Sequence, residues 1–135
     1  MFKKILFPIS VFAFIFLYTL SNYFPIFFSS SKNLEIYKGN SSQKIYNLTN
    51  IQSIFTFKAG EGFYVDSNNF DINEFLKNHN AQVVFIEKVE SGTSYYCFST
   101  NIYYFQPIRD KIINLHIFIS EKTTKIGSPI IYGGY

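Results

Sequence analysis

The sequence predicts an α+β chain: an apolar amino-terminal helix, acting as transmembrane anchor or signal, then a mainly antiparallel sheet of five to seven strands packed with one short helix. Three observations carry this. Residues 5–31 contain no Asp, Glu, Lys or Arg. One stretch, residues 71–80, repeats its apolar positions with a helical period. Residues 82–132 alternate with a period of two between turn signals, as strands do.

The elements follow in order. Residues 5–28 are the apolar heart of the leader, 24 residues where an α-helix needs only ~20 to cross ~30 Å of hydrocarbon. Lys3 and Lys4 precede it, which makes that end cytoplasmic and exports the rest. The competing reading is a removable signal, with Ser29 and Ser31 as the small pair and a cut before Lys32. The apolar run over residues 5–20 already reaches 16, beyond the ~7–15 of a signal core, and this favours an anchor. Residues 32–52 read as a linker or irregular segment, because Lys38-Gly39-Asn40-Ser41-Ser42 is polar and turn-rich.

Residues 53–135 form the expected folded domain. Residues 54–58 suggest a short strand, Gly60-Glu61-Gly62 a turn, and residues 63–65 a second strand. Asp71 and Glu74 have capping-box spacing, with Ile72, Phe75, Leu76 and His79 on one helical stripe and Asn80 as the stop. Residues 82–89 and 93–99 flank Glu90-Ser91-Gly92 as a hairpin. Residues 102–106 suggest a strand broken by Pro107. Residues 111–120 alternate most clearly, with Ile113, Leu115, Ile117 and Ile119 on one face. Residues 126–132 form the last strand, interrupted by Gly127-Ser128-Pro129; because Pro129 cannot donate to a ladder, the strand either lies at an edge or starts at the proline.

Charge and cysteine content narrow the function. Lys3 and Lys4 are two of the 12 basic residues, leaving ten against nine acids in the exported part. Near-neutrality excludes nucleic acid as a partner, since that affinity comes from clustered Lys and Arg on phosphates. The one cysteine, Cys97, permits no internal disulfide and reads as a small buried hydrophobe.

Asn73-Glu74-Phe75, Val83-Val84, residues 94–99, Asn114-Leu115 with Ile117, and Gly127-Ser128-Pro129-Ile130 with Tyr135 resemble the YwmB family of exported proteins of low-GC Gram-positive bacteria. The resemblance covers roughly residues 53–135. It implies a sheet similar to the TATA-box-binding-protein-like fold and an envelope protein without established catalytic residues. Most of the family's first half has no counterpart here, so residues 32–52 or a second chain could complete the sheet.

No residue set names a chemistry: there is no serine elbow and no cofactor motif. Two histidines, His79 and His116, are too few for a zinc site without recruited carboxylates. His79 is expected to interact with the carbonyls at its helix end. Glu87 and Glu90, at the first hairpin, read as surface charges. His116 shares a face with Asn114, which makes either a groove floor or a solvated face with Phe118 covered by the helix. The aromatic group Tyr95, Tyr96, Phe98, Tyr103, Tyr104 and Phe105 supplies core or, if exposed, a stacking surface. The candidate binding residues are therefore Asn114, His116, Tyr132 and Tyr135, with no catalytic or metal residue and no cofactor.

The expected protein sits in the plasma membrane through residues 5–28, single-pass with its carboxy-terminal domain outside, or is secreted after signal cleavage. Its expected role is non-catalytic binding or assembly in the envelope, with another envelope protein by strand addition or as a homodimer. The alternative is a small hydrolase using His116 with a nearby acid or metal.

Overall fold

The computed structural model describes residues 2–23, 27–39, 45–46 and 57–132. Helix α1 covers Phe2–Tyr23, 22 residues or about 33 Å at 1.5 Å per residue. Its described side chains, residues 6–21, are exposed apart from a half-buried Thr19. Phe7, Phe12 and Phe14 each exceed 70 % exposure. Its hydroxyls turn inward along the backbone: Ser10 donates to the Phe7 carbonyl at 2.8 Å, Thr19 to Ile15 at 2.7 Å and Ser21 to Tyr18 at 2.9 Å. Among the described residues, no helix is long and apolar enough to cross a membrane.

The body is a seven-stranded antiparallel sheet. Its strands are β1 (Leu34–Lys38), β2 (Ile45–Tyr46), β3 (Lys58–Asp66), β4 (Ala81–Val89), β5 (Gly92–Ser99), β8 (Leu115–Ile119) and β9 (Thr123–Ser128). They lie in the order β2-β1-β3-β9-β8-β5-β4. A separate ribbon pairs β6 (Gln106–Ile108) with β7 (Lys111–Ile113). Helix α2 (Ile72–Asn78) starts where Asp71 accepts from the Asn73 and Glu74 amides, at 2.8 and 3.1 Å. It stops before Asn80, whose φ of 46° is left-handed.

One sheet face carries the core. Phe63, Cys97, Leu115, Ile117 and Ile126 pack with Phe28 and Ile102, and α2 adds Ile72, Phe75 and Leu76. Period-two alternation puts these strand residues on one side. The opposite face is also covered. Pairing runs Gly62 to Gly127, Gly127 to His116, His116 to Tyr96 and Tyr96 to Phe85. After the cis Ser128-Pro129 bond the chain crosses this face. A Cβ on Gly127 would come within 2.9 Å of the Ile131 backbone, so glycine lets the tail lie directly on the sheet.

Several expectations need correction. Phe27 and Phe28 belong to the body, Phe28 being fully buried in its core, so the stretch assigned to the anchor ends earlier than residue 28. Leu34–Lys38, read as linker, is β1, which pairs antiparallel with β3 and buries Ile36, Tyr37 and Lys38 in succession. Gly60-Glu61-Gly62 is not a turn but the middle of β3. Its glycines are required by close neighbours, the Ser128 carbonyl over Gly60 and the Tyr37 hydroxyl over Gly62. Residues 102–105 are not a strand; the short β6 follows them.

The run over 111–120 breaks at Asn114, whose side chain bonds the Ser99 and Ile102 backbone while its own amide still donates to the Cys97 carbonyl at 3.1 Å. The last strand is not at an edge: β9 lies between β3 and β8, and the edges are β2 and β4. Pro129 ends the ladder rather than edging it. Phe118 is buried, but α2 packs on the Leu115 and Ile117 side rather than over it, so that face is not solvated as expected. The 54–58 strand lies mostly outside the described residues, and so does Tyr135.

Candidate functional site

Asn114 and His116 stand one position apart on each side of Leu115, and both are buried. Asn114 is a clamp: its Oδ1 accepts the Ser99 amide at 2.6 Å, and its Nδ2 donates to the Ser99 and Ile102 carbonyls at 2.6 and 3.0 Å. It holds the chain leaving β5, with both of its amide hydrogens taken and its side chain buried. His116 stacks on Tyr96 at 4.4 Å, and Tyr96 stacks on Phe85 at 4.3 Å. Arg109 and Lys111 lie over the outer Phe85 ring, at 5.5 and 5.9 Å.

The column is fixed at both ends. Glu87 accepts from the Tyr96 hydroxyl at 3.3 Å and pairs with Arg109 at 2.8 Å. The Ile131 amide donates to His116 Nδ1 at 3.3 Å, a bond that requires that nitrogen unprotonated. Burial pushes the His116 pKa down to about 4, the negative Glu87 opposing it in part. Tyr132 rests its ring on Tyr37 at 5.1 Å, and burial raises both phenols. The tail therefore carries both contacts, Ile131 on His116 and Tyr132 on Tyr37, but the Asn114 side chain turns away to the β5 exit. His79 behaves as its position implied, bonding the Phe75 carbonyl at 2.9 Å and stacking on that ring at 4.1 Å.

A second constellation was hidden in the sequence. Lys58 and Glu61 are three residues apart, a spacing that places side chains on opposite faces of a regular strand. The register shift between β1 and β3, Tyr37 facing Gly60 and Lys38 facing Lys58, accommodates one extra residue and brings them together. Lys58 Nζ lies 2.9 Å from Glu61 Oε2, with side-chain exposures of 3 % and 0 %. Glu61 Oε1 accepts the amides of both Phe27 and Phe28, the latter at 3.0 Å. Lys58 also donates to the Ser21 carbonyl at 3.2 Å. Ser21 is within the last turn of α1, where carbonyls lack helical partners and the dipole is negative.

Lys38 and Tyr104 complete the cluster. Burial and the neighbouring Lys58 charge lower the Lys38 pKa, while burial and the Glu61 charge raise the Tyr104 phenol. The cluster is a joint: one buried carboxylate and one buried ammonium tie the end of α1 and residues 27–28 to β3. The only sequence signal for it was a charged residue between two glycines.

Other chemistry is sparse. Among the described residues no three His, Cys, Asp or Glu side chains gather as a metal site. A shallow cleft between two hairpin turns is lined by Lys88, Glu90, Ser91, Glu121 and Lys122, and His116 is not part of it. Cys97 is fully buried, and burial pushes its thiol up to about 12, as for an inert core residue. Comparison with known protein families, curated proteins and solved structures finds no match for this chain.

Proposed function

We propose that this protein is a single-pass, membrane-anchored extracytoplasmic domain with a non-catalytic binding or assembly role in the cell envelope. The observation that carries the reading is the pairing of α1 with its joint. The helix offers apolar side chains to its surroundings on every face, a pattern suited to lipid. The hydroxyls of Ser10, Thr19 and Ser21 bond within the helix, as an apolar medium demands. Lys3 and Lys4 set the orientation, and the YwmB resemblance argues for the same exported side.

The joint favours retention of the leader. A cut before Lys32 would remove Phe28 from the core and strip Glu61 of both amide donors. Contact with another envelope protein or a second copy falls to β4, the longer edge strand, where Val83, Ile86 and Val89 are exposed. The test is amino-terminal sequencing of the protein from cells, combined with alkaline extraction of membranes. The expected product begins upstream of Phe27 and resists extraction. A mature chain starting at Lys32, or one released by alkali, would refute the anchor.

A further inference from the structure

The joint is ringed by aromatic side chains that the body does not bury. Phe57 is 69 % exposed, Tyr103 84 % and Phe105 69 %. Phe57 meets Tyr18 of α1 edge-on, with ring centroids 5.8 Å apart. Phe27, four residues past the end of α1, meets Tyr103 at 5.7 Å and Tyr104 at 5.4 Å. Phe57 is therefore joined to the end of α1 and Tyr103 to Phe27, and the exposed Phe105 follows two residues on.

This surface is held, not left over. In residues 102–105, Ile102 is buried in the core and its carbonyl is taken by Asn114 at 3.0 Å. Tyr104 turns inward under Lys58, 5.9 Å from its ring. With Ile102 and Tyr104 facing in, Tyr103 and Phe105 face out.

Strand register gives the body two unlike ends. Lys58, Ser128, Leu115 and Ser99 lie toward one end, and Asp66, Thr123, Ile119 and Val89 toward the other. Phe57 and residues 102–105 adjoin the first end, together with α1. The far end carries the turns with Lys88, Glu90, Glu121 and Lys122.

We propose that the face around the α1 exit, presenting Phe57, Tyr103 and Phe105, seats in the headgroup layer of the bilayer that α1 enters. The inference rests on the membrane reading above and adds that the body lies against the bilayer instead of standing off. Lipid is the occupant because the patch adjoins the end of α1 and combines a Tyr, a ring enriched at the interface, with two Phe, apolar rings that anchor interfacial segments. Binding through such rings does not depend on anionic lipid.

The chain has no tryptophan, so a single substitution gives an unambiguous fluorescent probe. The full chain would be reconstituted in phosphatidylcholine vesicles as Tyr103→Trp, Phe105→Trp, Phe14→Trp and Val89→Trp, with and without lipids brominated on the acyl chain near the glycerol. The expected result is a blue shift and bromine quenching at positions 14, 103 and 105, with water-like, unquenched emission at 89. Adding phosphatidylglycerol should leave these values unchanged. Quenching at 14 with water-like emission at 103 and 105 would overturn the docked face alone, and so would quenching at 103 that required phosphatidylglycerol. No quenching at 14 would overturn the membrane reading itself.

Discussion

Replacing Glu61 with Gln tests whether the buried joint holds the end of α1 and residues 27–28 to the body. The substitution keeps size and one acceptor oxygen but removes the charge opposite Lys58, 2.9 Å away. At an effective dielectric of ~20, that separation corresponds to about 6 kcal/mol of gross attraction. Part is offset because the paired carboxylate was itself costly to bury. Breaking a buried pair from one side typically costs about 3–5 kcal/mol, because the remaining charge stays dehydrated. A charge-assisted bond to the Phe27 or Phe28 amide weakens as well.

The expected loss of 3–5 kcal/mol is a large share of the ~5–15 kcal/mol that keeps a domain folded. Urea unfolding of the detergent-solubilised full chain, followed by near-ultraviolet circular dichroism, would measure it. Lys58→Met should cost a similar amount, and Lys58→Met with Glu61→Gln should recover much of the loss, since neither member of the pair is then left buried without the other. A Glu61→Gln chain within ~1 kcal/mol of the parent, or a double variant showing simple additivity, would refute the joint.

Three further outcomes follow. The buried His116 holds its proton less tightly folded (about 4) than unfolded (6.5), so the unfolded chain binds more protons between these values. Its contribution is complete above pH 6.5 and declines as pH falls toward 4, by at most ~3 kcal/mol. His116→Gln should flatten that part of the stability profile in urea titrations at several pH values. Gly127→Ala should cost about 1–3 kcal/mol by pressing a methyl group into the Ile131 backbone, and faster exchange of the Ile131 amide would show that the tail has lifted. Iodoacetamide should leave Cys97 unmodified in the folded chain and label it in urea, read by intact mass, because the thiol is buried and its pKa raised to about 12.

Local signals were legible where a few neighbouring residues decide the structure. Asp71 and Glu74 announced α2, and Glu90-Ser91-Gly92 announced the β4–β5 hairpin, because caps and tight turns are made by adjacent groups. Phe27 and Phe28 looked like leader because hydrophobicity alone does not tell lipid from protein core. Gly60-Glu61-Gly62 looked like a turn because glycine serves both turns and close approaches. The candidate site was half legible. His116 proved central to its face, yet its role as acceptor for the tail depends on Ile131 folding back across Gly127.

By itself the sequence determined the uncharged amino-terminal run, the cap of α2, the first hairpin and the inward set of Leu115 and Ile117 on β8. These depend on periodicity and on contacts within a few residues. Strand order, the interior place of β9, the pairing of Lys58 with Glu61 and the covering of His116 were decided only by tertiary structure. Each depends on segments distant in the chain competing for the same buried surface, and no local pattern encodes which of them wins.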